Sequence, residues 1–301
     1  MPPNKPVNED AIASRSDSVG VALIVISATG FGTLGILAKL AYAEGLDLPS
    51  TLAWRFVGAA VVFWAWLVWQ GNWRLEKRLA ILAILLGAIG YAIQATLFFA
   101  ALNYAGAGVT ALLLYTYPAF VTLLAWITQG ERPRRNRQIA LSLALFGCLF
   151  TADLSGATVK PIGLLLGVAS GGWYALYLTF GARLVRSVSP VTTSAYLSLG
   201  AAFSFLATAF LKNGLIFPKT AVAMGTVGGL ILIATVLPIV TLFAGIRRLG
   251  TAQAAILSTI EPVVTVLLGI IFLGEEFLAR QILGGLLVVS SVVLLQAFPQ
   301  E

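Results

Sequence analysis

The sequence predicts an all-α integral membrane protein, with ten transmembrane helices arranged as two inverted five-helix repeats around a central cavity. The first observation is composition: 59% of residues are hydrophobic, 10% are charged, and the mean hydropathy is +0.94. Soluble domains carry roughly 25% charged residues. The second observation is a series of ten apolar segments, and the third is that the last five segments repeat the first five.

Each apolar segment is close to the ~20 residues that a helix needs to cross a bilayer. The segments cover residues 19–41, 50–70, 79–101, 107–128, 137–152, 161–181, 190–211, 222–246, 251–273 and 280–298. Residues 1–18 are polar and contain no apolar run, so we expect a disordered cytoplasmic tail. The two predicted five-helix repeats are then residues 19–155 and 156–301.

Charge in the loops predicts the orientation of the chain. Thirteen basic residues fall on one side of the predicted membrane: Lys5, Arg15, Arg74, Lys77, Arg78, Arg132, Arg134, Arg135, Arg137, Arg183, Arg186, Arg247 and Arg248. Five fall on the other side: Lys39, Lys160, Lys212, Lys219 and Arg280. Because cytoplasmic loops are enriched in Lys and Arg, both termini are predicted to be cytoplasmic. This placement also explains the net charge of +7 without nucleic-acid binding.

An internal repeat relates residues 97–131 to residues 241–275 at an offset of 144, with 11 identities in 35 positions. Pro118 aligns with Pro262, and Gly130-Glu131 aligns with Gly274-Glu275. Since each half crosses the membrane an odd number of times, the second half enters from the opposite face. Inverted repeats characterise secondary transporters, although duplicated bundles also occur in channels and membrane enzymes.

Glu261, followed by Pro262, lies near the middle of the ninth span. An ionisable group at this depth is costly, and a proline removes a backbone hydrogen bond. Glu261 is interpreted either as a functional group, binding a substrate ammonium or carrying a proton, or as a structural carboxyl beside the proline break. Pro118, Pro238 and Pro262 are candidate hinges.

Polar and aromatic side chains at mid-membrane depth are candidates for the lining of a substrate cavity. The predicted substrate-binding residues are Tyr91, Gln94, Phe98, Tyr117, Trp173, Tyr177, Ser258 and Glu261. Tyrosine and tryptophan need hydrogen-bond partners when buried, and small-molecule sites combine apolar walls with a few polar groups. Packing between helices is an equally good interpretation of each residue taken alone.

Arg55 lies about two turns into the second span. Its side chain could reach the interface, pair with Glu44 or Asp47, or bind a substrate carboxylate; we favour a structural role.

Several other functions lack support in the sequence. The chain has no His and one Cys, so we expect no metal site and no cofactor. The pattern Gly30-Phe31-Gly32-Thr33-Leu34-Gly35 lies within a span and not at a strand-to-helix turn, which argues against nucleotide binding. A polytopic membrane enzyme would need clustered acid, base or metal groups, and we find none, so an enzyme is not expected.

The Glu261-Pro262 pair, the following Leu273-Gly274-Glu275 and the partner pair Tyr117-Pro118 resemble the drug/metabolite transporter superfamily, specifically its ten-helix EamA-type exporters. The resemblance covers residues 19–298. It implies a basket of helices around a cavity, with efflux as the usual direction. Exporters of aromatic and other neutral amino acids resemble the chain best. Tyr117 departs from the pattern, because many members have Glu before this proline.

These observations together predict a secondary transporter of a bacterial-type inner membrane that exports small amphipathic metabolites, most of all amino acids, by alternating access. A multidrug or other metabolite carrier of the same fold, or a passive facilitator, is the alternative. The expected partners are a small-molecule substrate and the lipid bilayer, with no nucleic acid. Proton coupling is left open by the sequence.

Overall fold

The computed structural model describes residues 17–130, 133–151, 159–212, 214–273 and 279–297. In these ranges the regular structure is entirely helical. The α-helices are α1 (Ser18–Gly32), α2 (Leu34–Ala43), α3 (Leu48–Trp69), α4 (Lys77–Leu85), α5 (Ala92–Leu114), α6 (Tyr117–Gln129), α7 (Arg135–Thr151), α8 (Pro161–Ser187), α9 (Pro190–Lys212), α10 (Ala221–Ile231), α11 (Leu237–Leu249), α12 (Thr251–Leu257), α13 (Glu261–Leu273) and α14 (Ala279–Ala297). Two π-helical turns, Leu86–Tyr91 and Leu232–Val236, and a 3-10 turn, Ser258–Ile260, join consecutive α-helices.

The predicted class of all-α membrane protein is confirmed. Eight helical stretches among the described residues are long and apolar enough to cross a membrane, and a shorter apolar helix covers Ile282–Leu294. The described residues of each of the ten predicted segments lie almost entirely in helical backbone. Residues 1–16 of the predicted tail lie outside the described residues; its last residue, Ser18, is the first residue of α1, and Asp17 is the N-cap of that helix. Asp17 caps α1 by accepting a hydrogen bond from the backbone of Gly20 at 3.0 Å.

Helix α5 carries the third predicted span into the fourth. Early in α5, the Gln94 amide donates to Ser170 of α8 at 3.3 Å. Late in α5, Leu113 lies against Gly171 of α8, the residue after Ser170. A methyl group added at Gly171 would be 2.9 Å from the Leu113 carbonyl oxygen. Both parts of α5 therefore lie against the same stretch of α8, and they belong to two separate candidate spans, Lys77–Ala105 and Val109–Thr128.

Helices of each half pack on the opposite half in an equivalent way. The first helix of the first half, α1, packs on α11 and α13 of the second half. Correspondingly, α8 packs on α5 and α6 of the first half. Helices α3 and α9, which are equivalent, pack on each other, as do α7 and α14. This pattern is that of an approximate twofold axis between the halves.

Equivalent glycines mark close helix contacts across this axis. A methyl group at Gly58 of α3 would lie 2.2 Å from Ile231 Cδ1 at the end of α10. A methyl group at Gly200 of α9, 142 residues later, would lie 2.0 Å from the Ile84 carbonyl oxygen in α4. Small residues thus let the helix backbones approach, as is usual between helices in membranes.

Equivalent serines make a second pair of matching contacts. The Ser27 hydroxyl donates to the Pro238 carbonyl oxygen at 2.8 Å, and the Ser170 hydroxyl lies 3.4 Å from the Gln94 carbonyl oxygen. The offsets are 143 residues between the serines and 144 between their acceptors. The repeat detected in the sequence is therefore also a repeat of contacts.

Candidate functional site

The helices containing the predicted hinge prolines are interrupted near the middle of the chain's long spans. α5 ends at Leu114 and α6 begins at Tyr117, so that Pro118 lies in the first turn of a new helix. In the second half, a 3-10 turn precedes α13, whose first two residues are Glu261 and Pro262. A proline in the first helical turn leaves no interior hydrogen bond unmade. Both repeats thus contain a broken helix at the same place, while a hinge motion at these prolines stays a prediction.

The third helices of both halves are interrupted by π-helical turns. The turns are Leu86–Tyr91 and Leu232–Val236. At an offset of 144, residues 88–91 of the first turn align with residues 232–235 of the second. Only the second turn is followed by a proline, Pro238. π-turns occur often at functional sites, because they redirect side chains and release backbone carbonyl groups.

Side chains from the opposite half bond the carbonyl groups around each π-turn. In the first turn, Ser204 donates to the Ala88 carbonyl oxygen at 2.8 Å and Trp173 Nε1 donates to that of Gly90 at 2.9 Å. In the second turn, Arg55 donates to the Ala234 carbonyl oxygen at 3.0 Å. These bonds satisfy polar backbone groups that lipid could not satisfy.

A chain of aromatic rings connects the two halves between these interruptions. Tyr91 lies with its ring centroid 4.8 Å from Phe56 and 5.9 Å from Tyr177. Tyr177 stacks on Tyr174 at 5.6 Å, and Tyr174 meets Tyr117 edge-on at 4.8 Å. The structure therefore brings together three predicted residues, Tyr91, Tyr117 and Tyr177, through a fourth tyrosine. We call these four residues, Tyr91, Tyr177, Tyr174 and Tyr117, the tyrosine chain.

Glu261 lies close to one end of the tyrosine chain. Its side chain is half-buried, and one turn earlier Ser258 is buried and donates to the Ala254 carbonyl oxygen at 2.9 Å. The Tyr117 hydroxyl donates to the Ala255 carbonyl oxygen at 3.3 Å, which joins the two broken helices.

Arg55 lies at the opposite end of the tyrosine chain. Its side chain is 1% exposed. The guanidinium donates to Thr235 Oγ1 at 2.5 Å, to the Tyr91 hydroxyl at 3.1 Å and to the Ala234 carbonyl oxygen. The guanidinium carbon, Cζ, is 5.1 Å from the centre of the Phe56 ring, which is a cation–π contact.

The structure rules out two of the roles considered for Arg55. A side chain that is 1% exposed does not reach the membrane interface. Neither does it pair with a loop carboxylate, because Asp47 accepts from the Ser50 backbone and Glu44 from the Thr220 hydroxyl. The guanidinium points instead into the second π-turn, where hydroxyl and carbonyl oxygens are available.

The remaining predicted residues lie outside the tyrosine chain. Gln94 is buried and donates a hydrogen bond to the Ser170 hydroxyl. Trp173 is half-buried and donates a hydrogen bond to the Gly90 carbonyl oxygen in the first π-turn. Phe98 is half-buried, and its recorded ring contact is with Phe99 at 5.4 Å. Helix packing accounts for the recorded contacts of Gln94 and Phe98.

Three residues of this region were not selected from the sequence. Tyr174 lies three residues before Tyr177 on the same helix face, so helical spacing was the available signal. Tyr115 is two residues before Tyr117 and lies in the break between α5 and α6. No local pattern could have brought Arg55 to Thr235, which is 180 residues away.

The chemistry of the described residues offers no metal site. Among them no group of three or more His, Cys, Asp or Glu residues could hold a metal ion. The single cysteine, Cys148, is 1% exposed.

Comparison with known proteins decides the family. The sequence profile of the EamA-like transporter family matches residues 18–152 and again residues 161–296. The chain belongs to the EamA-like transporter family. Two of its relatives in Bacillus subtilis (strain 168) are the uncharacterized transporter YcbK, 27% identical over 92% of this chain and 92% of its own length, and the uncharacterized transporter YwfM, 27% identical over 92% and 94%.

A solved crystal structure shares the fold. It aligns with a TM-score of 0.78 and 20% sequence identity, and the alignment covers 94% of this chain and 98% of the solved chain. With the two EamA repeats, this establishes an integral, multi-pass membrane transporter made of two homologous halves. The resemblance to the drug/metabolite transporter superfamily predicted from the sequence is confirmed.

Proposed function

We propose that this EamA-like transporter exports amino acids with aromatic or other neutral side chains by alternating access. The observation that supports this proposal best is the tyrosine chain, which lies between the broken helices of the two halves and has a carboxylate at one end and a guanidinium at the other. An amino acid carries the complementary groups, an ammonium, a carboxylate and a side chain that can stack on tyrosine rings.

The exposure of these side chains supports an internal cavity beside the tyrosine chain. Tyr91 packs against Phe56, Phe205 and Tyr177, which are all at least 95% buried, yet Tyr91 itself is only half-buried. Tyr174 lies between two buried tyrosines and is also half-buried. We infer that the accessible parts of these rings face a space inside the protein, in which a solute of moderate size would bind.

The two readings of Glu261 both fit its place near this space. A half-buried carboxylate beside tyrosine rings can bind an ammonium group, with cation–π attraction from the rings in support. The same carboxylate can take up a proton and thereby couple export to the proton gradient. The proposal includes the ammonium contact, and the coupling is decided by experiment.

The helix interruptions supply the movement that alternating access requires. Helices broken at Pro118, Pro238 and Pro262 can change their angle at the break while the segments on each side remain packed. In transporters built from inverted repeats, the halves rock about a central site. We further propose that the protein resides in a bacterial-type inner membrane with both termini in the cytoplasm.

Transport by purified protein in proteoliposomes tests the proposal. Labelled L-phenylalanine should enter vesicles that contain the protein faster than empty vesicles, and unlabelled aromatic or neutral amino acids should compete. If a hydrophobic cationic drug competes and amino acids do not, the chain is a multidrug carrier and the proposed substrate class is wrong.

Glu261→Gln tests the role of the carboxylate, with Glu44→Gln outside the spans as the matched control. Hydrogen bonds to charged groups contribute about 1.5–3 kcal/mol, so we expect Glu261→Gln to slow phenylalanine transport about 10- to 100-fold and Glu44→Gln to leave it unchanged. Transport that responds to a pH gradient in the wild type and not in Glu261→Gln would establish proton coupling. Unchanged rate and pH dependence in both variants would leave Glu261 a structural residue.

A further inference from the structure

We propose that Arg55 binds the carboxylate of the transported solute, so that this carrier selects aromatic compounds with an anionic group over purely cationic ones. The inference rests on the proposed function in one respect, that the tyrosine chain borders the transport site. It goes further by naming the group that recognises the substrate and by excluding a class of ligands.

Arg55 is a buried cation with no anion in direct contact. All three of its recorded partners are neutral: a threonine hydroxyl, a tyrosine hydroxyl and a backbone carbonyl oxygen. In the part of the chain that the structure describes, no carboxylate lies within 4 Å of the guanidinium. Buried charges are ordinarily paired, because removing them from water costs several kcal/mol. A ligand anion would supply the missing charge.

The Arg55 guanidinium has hydrogen-bond donors that its present partners do not use. Arginine carries five N–H groups, and Arg55 uses three of them in the recorded bonds. One N–H remains on each terminal nitrogen. Guanidinium and carboxylate groups often pair through two parallel hydrogen bonds, so two unused donors are enough for a carboxylate.

Tyr91 connects Arg55 to the rest of the tyrosine chain. Its hydroxyl accepts from Arg55 at 3.1 Å, while its ring contacts Tyr177 and is half-buried. Tyr91 therefore lies between the guanidinium and the rest of the tyrosine chain. A carboxylate paired with the unused donors of Arg55 would therefore lie beside the Tyr91 hydroxyl, at this end of the tyrosine chain. The ring of an aromatic amino acid bound in this way would lie along Tyr177 and Tyr174.

Arg55 has no equivalent cation in the second half of the chain, so the two repeats differ at this position. The residue equivalent to Arg55 at the offset of 142 residues is Leu197, which is fully buried. By contrast, the two groups that Arg55 joins are equivalent, since Tyr91 and Thr235 are 144 residues apart and each lies in a π-turn. Arg55 thus connects the two halves at one point, where binding of an anion would change the contacts of both π-turns.

Binding to the wild-type protein gives the first test and requires no substitution. Purified protein in detergent would be titrated calorimetrically with L-phenylalanine, 3-phenylpropionate, which lacks the ammonium, and 2-phenylethylamine, which lacks the carboxylate. We expect 3-phenylpropionate to bind at least about tenfold more tightly than 2-phenylethylamine, the lower end of the effect of a hydrogen bond to a charged group. Equal affinities, or tighter binding of the amine, would overturn the proposal.

The second test compares Arg55→Gln with Arg183→Gln, which removes an exposed arginine near the end of α8. Arg55→Gln should weaken binding of 3-phenylpropionate about 10- to 100-fold and leave 2-phenylethylamine unchanged, while Arg183→Gln should change neither. If Arg55→Gln weakens both ligands equally, the residue is structural and the proposal fails. Should the variant not elute as a single folded species, the wild-type titrations decide the matter.

The two proposals fail in different ways. If the wild type does not transport L-phenylalanine but binds 3-phenylpropionate through Arg55, the proposed export of amino acids is wrong and the anion site stands. If the wild type transports L-phenylalanine and Arg55→Gln transports it with the same KM, the anion site is wrong and the proposed export stands.

Discussion

Replacing Gly87 by alanine should loosen the contact between the first π-turn and α9. A methyl group at this position would lie 1.9 Å from the Leu197 carbonyl oxygen and 2.9 Å from the Ala201 backbone nitrogen. Both are backbone atoms, so no side-chain rotation relieves the overlap. Restoring an ordinary separation of 3.4 Å requires a displacement of about 1.5 Å.

The expected change in stability follows from two opposing effects. Overpacking of this kind costs typically about 1–3 kcal/mol, and this overlap is at the upper end of that range. Alanine in place of a helical glycine contributes up to about 1 kcal/mol in the other direction. We therefore expect Gly87→Ala to lose about 1–2 kcal/mol, which corresponds to a fall of a few degrees in apparent Tm.

The assay is thermal unfolding in detergent at one fixed scan rate, because membrane proteins often unfold irreversibly. Gly228→Ala in α10 is the control, since no atom lies within 4 Å of a methyl group there. It should leave the apparent Tm unchanged or raise it. If Gly87→Ala is as stable as the wild type, α9 does not lie this close to the first π-turn and the expected overlap is refuted.

Two further predictions concern the ends of the helices. The hydrogen bond from Arg248 to Asp17, 2.7 Å long, holds the pKa of the Asp17 carboxyl below its usual value of 3.8. The pair therefore stabilises the folded protein above pH 3.8. This stabilisation is lost as the pH falls through the lower pKa of the folded state. Both side chains are partly exposed, so Asp17→Asn should cost only about 0.2–1 kcal/mol at pH 7 and nothing well below pH 3.8, as measured by thermal unfolding; an equal loss at both pH values would contradict this explanation. With buried Cys148 as the only native cysteine, Asn72→Cys and Lys219→Cys should react with an impermeant maleimide from opposite faces of the membrane, Asn72→Cys from the cytoplasm. Labelling of both from one face would disprove the inverted arrangement.

Much of the fold was available in the sequence because membrane helices obey simple rules of length and hydropathy. The ten spans followed from apolar runs, and the broken helices followed from Pro118 and Pro262 within them. The shared offset of these prolines also identified the repeat. These features are local, so a single sequence contains them.

The π-turns and the contacts of Arg55 were not available in the same way. The first π-turn, Leu86–Tyr91, is not followed by a proline, and its released carbonyl groups are bonded by side chains more than 80 residues away. The sequence left open whether the Arg55 side chain reaches the interface, pairs with a loop carboxylate or binds a substrate carboxylate. The packing of α3 on the second half turned its side chain inward instead. Such contacts depend on how the halves meet, which no local pattern specifies.

The central claim is that the two repeats enclose one site which opens to each face in turn. Counterflow measures this most directly: proteoliposomes loaded with excess unlabelled L-phenylalanine are diluted into a trace of labelled L-phenylalanine, with no pH gradient. A carrier with an alternating site should show a transient accumulation of label above equilibrium, and this overshoot should vanish when the unlabelled solute is omitted. Simple equilibration of the label at a rate independent of the internal solute would show a passive pathway and contradict the account.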